Sequence, residues 1–296
     1  QTSRILQMLK TRIDSLPPKL KSAAKYIIDN PGDFGLDPVR VTASRIGISA
    51  NSLVRLADLL GFDSFDALRE PFRTALLTSH EMDFGQDWLD QMAKSGPTGQ
   101  LQAKAAQNEM NIVSRSLRLM TPERVQAITA ALTSARRCYV TATRASYALA
   151  YYFHYVGRMA LPNLELVPRH MGSAVDDLQE LQTDDCLLAF TFAPYSAETI
   201  QALKMAKSRG AKLVVISDSE VIAPGISPDH MLAVAANSLH PFGCYAGTMV
   251  VLECLLSHLI EAGGKGAHQR IAEYEALRRD TGAYWTGPKL PRISEG

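Results

Sequence analysis

Cysteine is scarce, and no two cysteines are close together in the sequence. The four that are present form no CxxC pair, and each lies in an apolar stretch: Cys138, Cys186, Cys244 and Cys254. This spacing is typical of buried thiols in a reducing compartment, not of a disulfide framework or a zinc site. Cys254 and His258 have the i, i+4 spacing of two ligands on one helix, but no third ligand stands near them. We therefore predict no metal and no cofactor.

A long apolar run and an excess of one charge are also missing. No apolar run reaches the roughly 18 residues that cross a bilayer, and the first residues lack the apolar core of a secretion signal. We therefore expect a cytoplasmic protein without a membrane partner. The 31 basic and 30 acidic side chains leave a net charge of only +1, so any contact with nucleic acid must use a local patch. Hydrophobic residues make up 46%, which excludes wholesale disorder.

The length of 296 residues indicates two domains. The segment 81–99 loses clean periodicity and ends in a Gly-Pro-Thr-Gly cluster, which is typical of an interdomain connection. We predict an N-terminal domain over residues 1–80, a linker and connecting helix over 81–120, a second domain over 121–280 and a tail over 281–296. Residues 1–80 hold 11 basic and 8 acidic side chains, so an anionic partner is expected to bind there.

Helical periodicity and turn residues predict a helix-turn-helix in the first domain. A short helix ends near Ile46, Gly47 turns the chain, and a second helix runs over residues 50–60. Asp37 and Ser49 are suitable N-cap residues for these two helices. Because the small Ala43 stands at the packing position, the two helices can cross closely.

The second helix has an apolar face and a polar face. Leu53, Leu56 and Leu60 recur at helical spacing and are expected to pack inward. Ser, Asn and Arg on the N-terminal half of a recognition helix are the residue types that contact phosphates and base edges in the major groove. The expected DNA contacts, including two lysines of the preceding basic segment, are Ser49, Asn51, Ser52, Arg55, Lys19 and Lys25. A solvated helix face that binds nothing is the alternative.

Residues 20–69 resemble the N-terminal domain of the RpiR (MurR/RpiR) family of bacterial transcriptional regulators. The matching motifs are Gly47-Ile48-Ser49 before the recognition helix, Val54-Arg55 within it and Leu60-Gly61-Phe62 at its end. This chain departs from the family pattern at Leu56, where phenylalanine is usual, and at Asp58 and Leu59, where basic residues are common. The resemblance implies an operator-binding protein that acts as a homodimer or homotetramer.

The remainder alternates short apolar runs with amphipathic helices. The runs at 137–142, 186–192 and 212–218 predict buried strands of a doubly wound α/β fold with a parallel sheet. The first two runs each lead into a loop that carries hydroxyl groups and then into a helix. Free backbone N–H groups and the helix dipole favour an anion at such a place, so the loops suggest a phosphate ester as ligand. Simple capping of the helices by the same hydroxyls is the alternative.

This half resembles a sugar-isomerase (SIS) domain, the effector domain of RpiR regulators, over roughly residues 121–262. Ser196-Ala197-Glu198-Thr199 is similar to the Ser-Gly-x-Thr end of the SIS phosphate loop, and residues 142–146 are similar to its Gly-x-Arg-x-Ser loop. Alanine replaces the usual glycine in both, and Pro194 stands where a serine is common. The resemblance implies a small-molecule effector, a phosphorylated sugar or related metabolite, and these effector-binding residues: Arg144, Ser146, Ser196 and Thr199.

Two other functions are compatible with the sequence. Glu198 and His240 could serve as acid and base in a sugar-phosphate isomerase that carries a helical N-terminal extension. The helical domain could also contact a protein instead of DNA. We favour a transcriptional regulator of two domains, an all-α helix-turn-helix domain followed by a doubly wound α/β domain of SIS type, without catalytic residues.

Overall fold

The computed structural model describes residues 2–78 and 87–285. The N-terminal domain consists of short helices around a compact apolar core. Their bounds are α1 Thr2–Arg12, α2 Pro18–Asp29, α3 Pro31–Leu36, α4 Val39–Ile46, α5 Ala50–Leu59 and α6 Phe65–Thr78. Phe34 of α3 is fully buried, and its ring meets the rings of Phe65 and Phe72 edge-on at 5.4 and 5.1 Å. These aromatic contacts attach α3 to α6.

The predicted helix-turn-helix is formed by α4 and α5. Gly47 has a φ of +75° between the two helices, a left-handed conformation that glycine adopts without strain. Leu53, Leu56 and Leu60 are buried, as the periodicity predicted, and so is Ala57. The start of α4 differs from the prediction. Pro38, not Asp37, is the N-cap of α4, because Asp37 ends the unpredicted short helix α3.

Three helices connect the N-terminal domain to the sheet: α7 Asp87–Ala93, α8 Pro97–Leu119 and α9 Pro122–Ser134. The predicted linker segment therefore becomes helical from residue 87, and its first residues, 81–86, lie outside the described part of the chain. At the start of α9, Thr121 accepts a hydrogen bond from the Arg124 N–H at 3.4 Å. This side-chain cap sets the point where the chain enters the α/β domain.

The second domain is built on a five-stranded parallel sheet, which confirms the predicted fold class. The strands are β1 Cys138–Thr141, β2 Leu164–Val167, β3 Cys186–Thr191, β4 Lys212–Ser217 and β5 His230–Ala233, in the order β2-β1-β3-β4-β5. The helices that complete it are α10 Tyr147–Gly157, α11 Ala174–Asp177, α12 Ala197–Ser208 and α13 Ala246–Asp280. Two apolar cores lie on the two faces of this sheet. The strand order reverses between β1 and β3, and open α/β sheets bind ligands at such a switch point.

The helix α13 is long and apolar enough, by length and composition, to cross a membrane. In the structure its apolar side is buried in the same core as the sheet, through Leu252, Leu255 and Leu259. Gly264 has a φ of +52° and kinks the helix just beyond this packed part. The apolar character of α13 is thus accounted for by packing within the α/β domain.

Candidate functional site

The outer face of α5 is exposed. Asn51 and Arg55 lie on this face, next to the exposed side chain of Val54, and Ser49 is exposed at the N-cap. Asp58 lies one turn after Arg55 and places a carboxylate on the same face. The described surface therefore offers one guanidinium and one amide near the start of the helix, which is the part that enters a major groove.

Ser52 does not lie on the outer face, contrary to the prediction. It is only 8% exposed, and its hydroxyl pairs with that of Ser49 at 3.0 Å. Ser52 precedes Leu56 by one turn, so it extends the buried stripe of α5 instead of facing solvent. The pair orders the start of the helix, and Ser49 keeps its exposed position.

The two predicted lysine contacts of α2 have different surroundings. Lys19 is exposed at the start of the helix. Lys25 is half-buried, and its ammonium donates to Asp29 of its own helix and to three oxygens of the α/β domain. Lys25 is thus committed to an intramolecular contact, and we correct its predicted role as a phosphate contact. Lys10 of α1 is likewise paired with Glu220 of the α/β domain.

A cleft of about 610 Å³ opens at the switch point of the sheet. The loop after β1, the loop after β2 and the first turn of α12 form its walls. The lining residues are Ala142, Thr143, Arg144, Tyr147, Pro168, Arg169, His170, Met171 and Glu198. The lining residues therefore include two arginines, a histidine and one glutamate.

The predicted effector residues divide into one cleft residue and three that lie behind or beside it. Arg144 lines the cleft and is exposed, with a φ of +55° that is unusual for a residue with a side chain. Ser146 is buried and donates to the Thr143 carbonyl at 2.7 Å. Thr199 is also buried, with its hydroxyl 3.3 Å from that of Thr143. Ser196 is half-buried at the N-cap of α12, where its side chain makes no capping hydrogen bond.

Sequence reasoning missed the contribution of the loop after β2. Arg169 and His170 follow that strand and line the cleft. The Arg169 guanidinium pairs with Glu165, and the Arg169 backbone N–H donates to Asp177 at 3.0 Å. Tyr147 fixes the same loop by donating to the Pro168 carbonyl at 2.8 Å. Because β2 was not predicted, no signal directed attention to the residues that follow it.

The loop after β3 offers a ligand fewer hydrogen-bond donors than its similarity to the SIS phosphate loop implies. The Ala193 N–H faces the Asp218 carboxylate, 3.2 Å from each oxygen, and Pro194 has no N–H to donate. Any anion at this place would meet the negative charge of Asp218 nearby. Arg144 is therefore better placed than this loop to hold an anionic group, and Arg169 adds a second guanidinium that is already paired with Glu165.

The two residues considered for acid and base catalysis are not both in the cleft. Glu198 lines it, whereas His240 is an exposed loop residue whose Nδ1 accepts from the Phe242 N–H at 3.2 Å. His240 is absent from the cleft lining. The geometry thus provides no paired acid and base from these two side chains within the described residues.

Residues 131–256 match the SIS domain family. Along the sequence, the chain is 25% identical over 277 residues to the uncharacterized HTH-type transcriptional regulator YfhH of Escherichia coli K12, covering 92% of this chain and 97% of that protein. These matches include both halves of the chain.

Two solved structures have a similar fold. The sugar isomerase domain of an RpiR transcription factor from Sphaerobacter thermophilus superimposes with a TM-score of 0.56 at 21% identity, covering 60% of this chain and 99% of that one. The Vibrio vulnificus NanR protein, solved in complex with ManNAc-6P, gives a TM-score of 0.54 at 17% identity, covering 94% of this chain and 98% of that one. The second match spans the helical domain as well as the α/β domain.

Proposed function

Because the chain joins a helix-turn-helix domain to a SIS domain, as regulators of the RpiR type do, we propose that it is a DNA-binding transcriptional regulator controlled by a small anionic metabolite. The comparisons support the regulator class, since the full-length relative is named as an HTH-type transcriptional regulator. The proposal assigns DNA to the N-terminal domain and the metabolite to the cleft at the switch point.

The observation that carries the DNA assignment is the outward face of α5. Among the described residues, the side chains of the N-terminal domain that hydrogen-bond to the α/β domain belong to α1, α2 and the residue after α2. They leave Asn51 and Arg55 exposed on α5. A recognition helix can therefore enter a major groove without separating the two domains. We assign the DNA contacts to Ser49, Asn51, Arg55 and Lys19.

The effector assignment rests on the charge of the cleft. Arg144 and Arg169 come from the loops after two neighbouring strands and line the same space. Guanidinium groups bind phosphate and carboxylate by paired hydrogen bonds. We propose a phosphorylated sugar or a related sugar acid as the effector, with Ser196 as an additional hydroxyl contact. Ser146 and Thr199 stabilise the loops through their buried hydrogen bonds to Thr143.

An operator of two half-sites needs two recognition helices, so we propose that the protein acts as a dimer or a larger homo-oligomer. A regulator of this kind works where DNA and metabolites meet, and we propose the cytoplasm as its location. The molar mass measured by light scattering at micromolar concentration tests the first statement. A mass of about 32 kDa per DNA duplex, after the mass of the DNA is subtracted from that of the complex, would contradict it.

A mobility-shift titration tests the DNA assignment directly. The probe is the promoter fragment nearest the protein's own gene, and a fragment of equal length from within a coding sequence serves as control. We expect a complex with the promoter at concentrations at least about a thousandfold lower than with the control. Equal binding to both fragments would contradict sequence-specific recognition.

A thermal-shift screen tests the effector assignment. Sugar phosphates, sugar acids and their unphosphorylated parents are compared at the same concentration. Because a ligand that binds only the folded state raises the unfolding temperature, we expect stabilisation by an anionic member and none by its neutral parent. The Arg144→Ala variant is expected to lose this response. Stabilisation by the neutral sugar alone would contradict the anionic class.

A further inference from the structure

One lysine of the helical domain is bound by the α/β domain. The Lys25 ammonium donates to the Tyr195 hydroxyl at 3.1 Å, to the Ser219 hydroxyl at 2.9 Å and to the Val221 carbonyl at 2.7 Å. It also pairs with Asp29, one turn along α2, at 2.9 Å. Every partner apart from Asp29 lies about 170 or more residues away in sequence. The contact therefore joins the helical domain to the α/β domain.

The surroundings of Lys25 strengthen this contact. The Lys25 ammonium lies 5.3 Å from the centroid of the Tyr195 ring, and the Ser219 hydroxyl donates to Asp29. Burial by itself lowers the pKa of Lys25, but the Asp29 carboxylate and the Tyr195 hydroxyl together outweigh that effect and raise the pKa above the ordinary value. The three N–H groups of the ammonium are surrounded by four oxygen acceptors, so the side chain holds its position more firmly than a solvated surface lysine.

A second set of polar contacts flanks the first. Glu220 binds Lys10 of α1 and also Arg124 of α9, the latter at 2.9 Å. Asn237 donates to the Asn30 side chain at 3.3 Å. Val221 packs against the apolar core of the helical domain. The junction is thus formed by the residues that follow β4 and β5, with Tyr195 contributed by the loop after β3.

Tyr195 connects this junction to the candidate effector cleft. It belongs to the loop 192–196, which ends at Ser196, the N-cap of α12, two residues before Glu198 in the cleft wall. A shift of this loop would move the Tyr195 hydroxyl, which is one of the oxygen acceptors of Lys25. Coupling between sites needs an element of this kind, whose position both sites influence.

We propose that Lys25 is a positioning residue that couples the segment 192–199, which is the loop 192–196 and the start of α12, to the helical domain. Occupancy of the cleft then changes the placement of α2 through the Lys25–Tyr195 contact. This inference rests on the proposed function in one respect, the location of the effector. The contact also has a consequence that does not depend on any ligand. Loss of Lys25 removes hydrogen bonds between α2 and the α/β domain, so local stability is expected to fall on both sides of the junction.

Hydrogen–deuterium exchange of the full-length protein, read by mass spectrometry, tests the junction. Lys25→Met keeps the apolar stem of the side chain and removes its charge, whereas Tyr195→Phe removes only one hydroxyl. Lys19→Met, on the same helix but exposed, is the matched control. We expect Lys25→Met to speed exchange roughly tenfold in both 18–29 and 192–199, Tyr195→Phe to do so more weakly, and Lys19→Met to do neither.

Acceleration in the Lys25→Met variant that is confined to its own helix, or equal acceleration in the Lys19→Met control, would overturn the proposal. Because Tyr195→Phe leaves the helical domain untouched, faster exchange of 18–29 in that variant cannot come from local damage to α2. Unchanged exchange of 18–29 in Tyr195→Phe would show that the loop does not reach the helix and would equally overturn it.

A second measurement adds glucose 6-phosphate as the probe, with glucose as control. We expect the phosphate ester to slow exchange in 192–199 in the wild type and in Lys25→Met, and to change exchange in 18–29 only in the wild type. A response of 18–29 in Lys25→Met equal to that in the wild type would overturn the coupling route. No slowing of exchange in 192–199 would count against the proposed effector class. The exchange of the ligand-free Lys25→Met and Tyr195→Phe variants would still show whether the junction exists.

Discussion

The hydroxyls of Thr143 and Thr199 lie 3.3 Å apart and link the loop after β1 to the first turn of α12. Thr199 is 1% exposed, so the bond is shielded from water. Ser146 donates to the carbonyl of the same Thr143. These buried hydrogen bonds therefore hold the loop after β1 against the first turn of α12. Exposed residues of the same two segments, Arg144 and Glu198, line the cleft.

Replacing Thr199 by valine tests this link. The Thr199→Val variant keeps the shape of the side chain but leaves the Thr143 hydroxyl without its partner. We expect a loss of about 1 kcal/mol in the free energy of unfolding, measured by urea denaturation. Thr133→Val, which removes a hydroxyl bonded only within its own helix α9, is the control. Equal losses in both variants would show that the link adds nothing.

The strained backbone of Arg144 predicts a difference between two substitutions. Glycine adopts the observed φ of +55° without strain, whereas alanine does not. We expect Arg144→Gly to be more stable than Arg144→Ala by about 1 kcal/mol in thermal unfolding. Both variants lose the guanidinium and should lose anion binding to the same extent. Alanine matching or exceeding glycine in stability would be inconsistent with strain at this residue.

Arg55 is predicted to contact the operator. It is exposed on the outer face of α5, and loss of a bidentate contact to a base costs about 1 to 3 kcal/mol. Arg55→Ala should therefore weaken operator binding by roughly tenfold or more in fluorescence anisotropy, with an unchanged unfolding temperature. Arg209→Ala, an exposed arginine at the end of α12, should leave affinity as it is. Full affinity in Arg55→Ala would remove this residue from the interface.

The salt dependence of DNA binding should separate Lys19 from Lys10. Lys19 is exposed, whereas Lys10 is paired with Glu220. Each phosphate contact contributes about 0.9 to the slope of log affinity against log salt concentration. Lys19→Ala is expected to lower the slope by about that amount, and Lys10→Ala to leave it unchanged. A reduced slope in Lys10→Ala alone would reverse this assignment.

His154 predicts a loss of stability on mild acidification. Burial on α10, together with the nearby positive charge of Arg158, lowers the pKa of His154 below its ordinary value. The unfolded chain then binds this proton more readily than the folded chain, so stability is full above about pH 6.5 and falls as the pH drops through the folded pKa. His154→Asn should show a smaller fall than the wild type between pH 7.5 and 5.5.

The same titration of His258→Asn supplies the control, since His258 is exposed on α13. Thermal unfolding at each pH gives the comparison. If His154→Asn follows the wild-type curve while His258→Asn departs from it, the assignment of the pH effect to His154 is wrong.

Several elements of the fold could be predicted because each keeps a regular pattern of burial along its whole length. The strands β1, β3 and β4 are nearly continuous apolar runs, and α5 has a clear apolar stripe. The strands β2 and β5 were missed. Both are edge strands of four residues, half-buried at two positions each, so neither alternation nor a continuous apolar run marks them.

The candidate sites were predictable only in part, for a related reason. A helix face follows from local spacing, and Arg55 could be placed on it. The partners of Lys25 lie in the other domain, and no local pattern distinguishes this lysine from the exposed Lys19. Arg169 shares the cleft with Arg144 only because β2 lies beside β1 in the sheet. Such contacts depend on tertiary arrangement, which the sequence pattern does not contain.

The division of α5 into two faces bears on how such proteins diverge. The inward residues Leu53, Leu56 and Ala57 are each buried in the core, and changes there destabilise the domain. Asn51, Arg55 and the other outward positions are exposed, where substitutions seldom alter stability by more than about 0.5 kcal/mol. A duplicated gene could therefore acquire a new operator by changing a few outward residues, while the metabolite it responds to is inherited unchanged in the other domain.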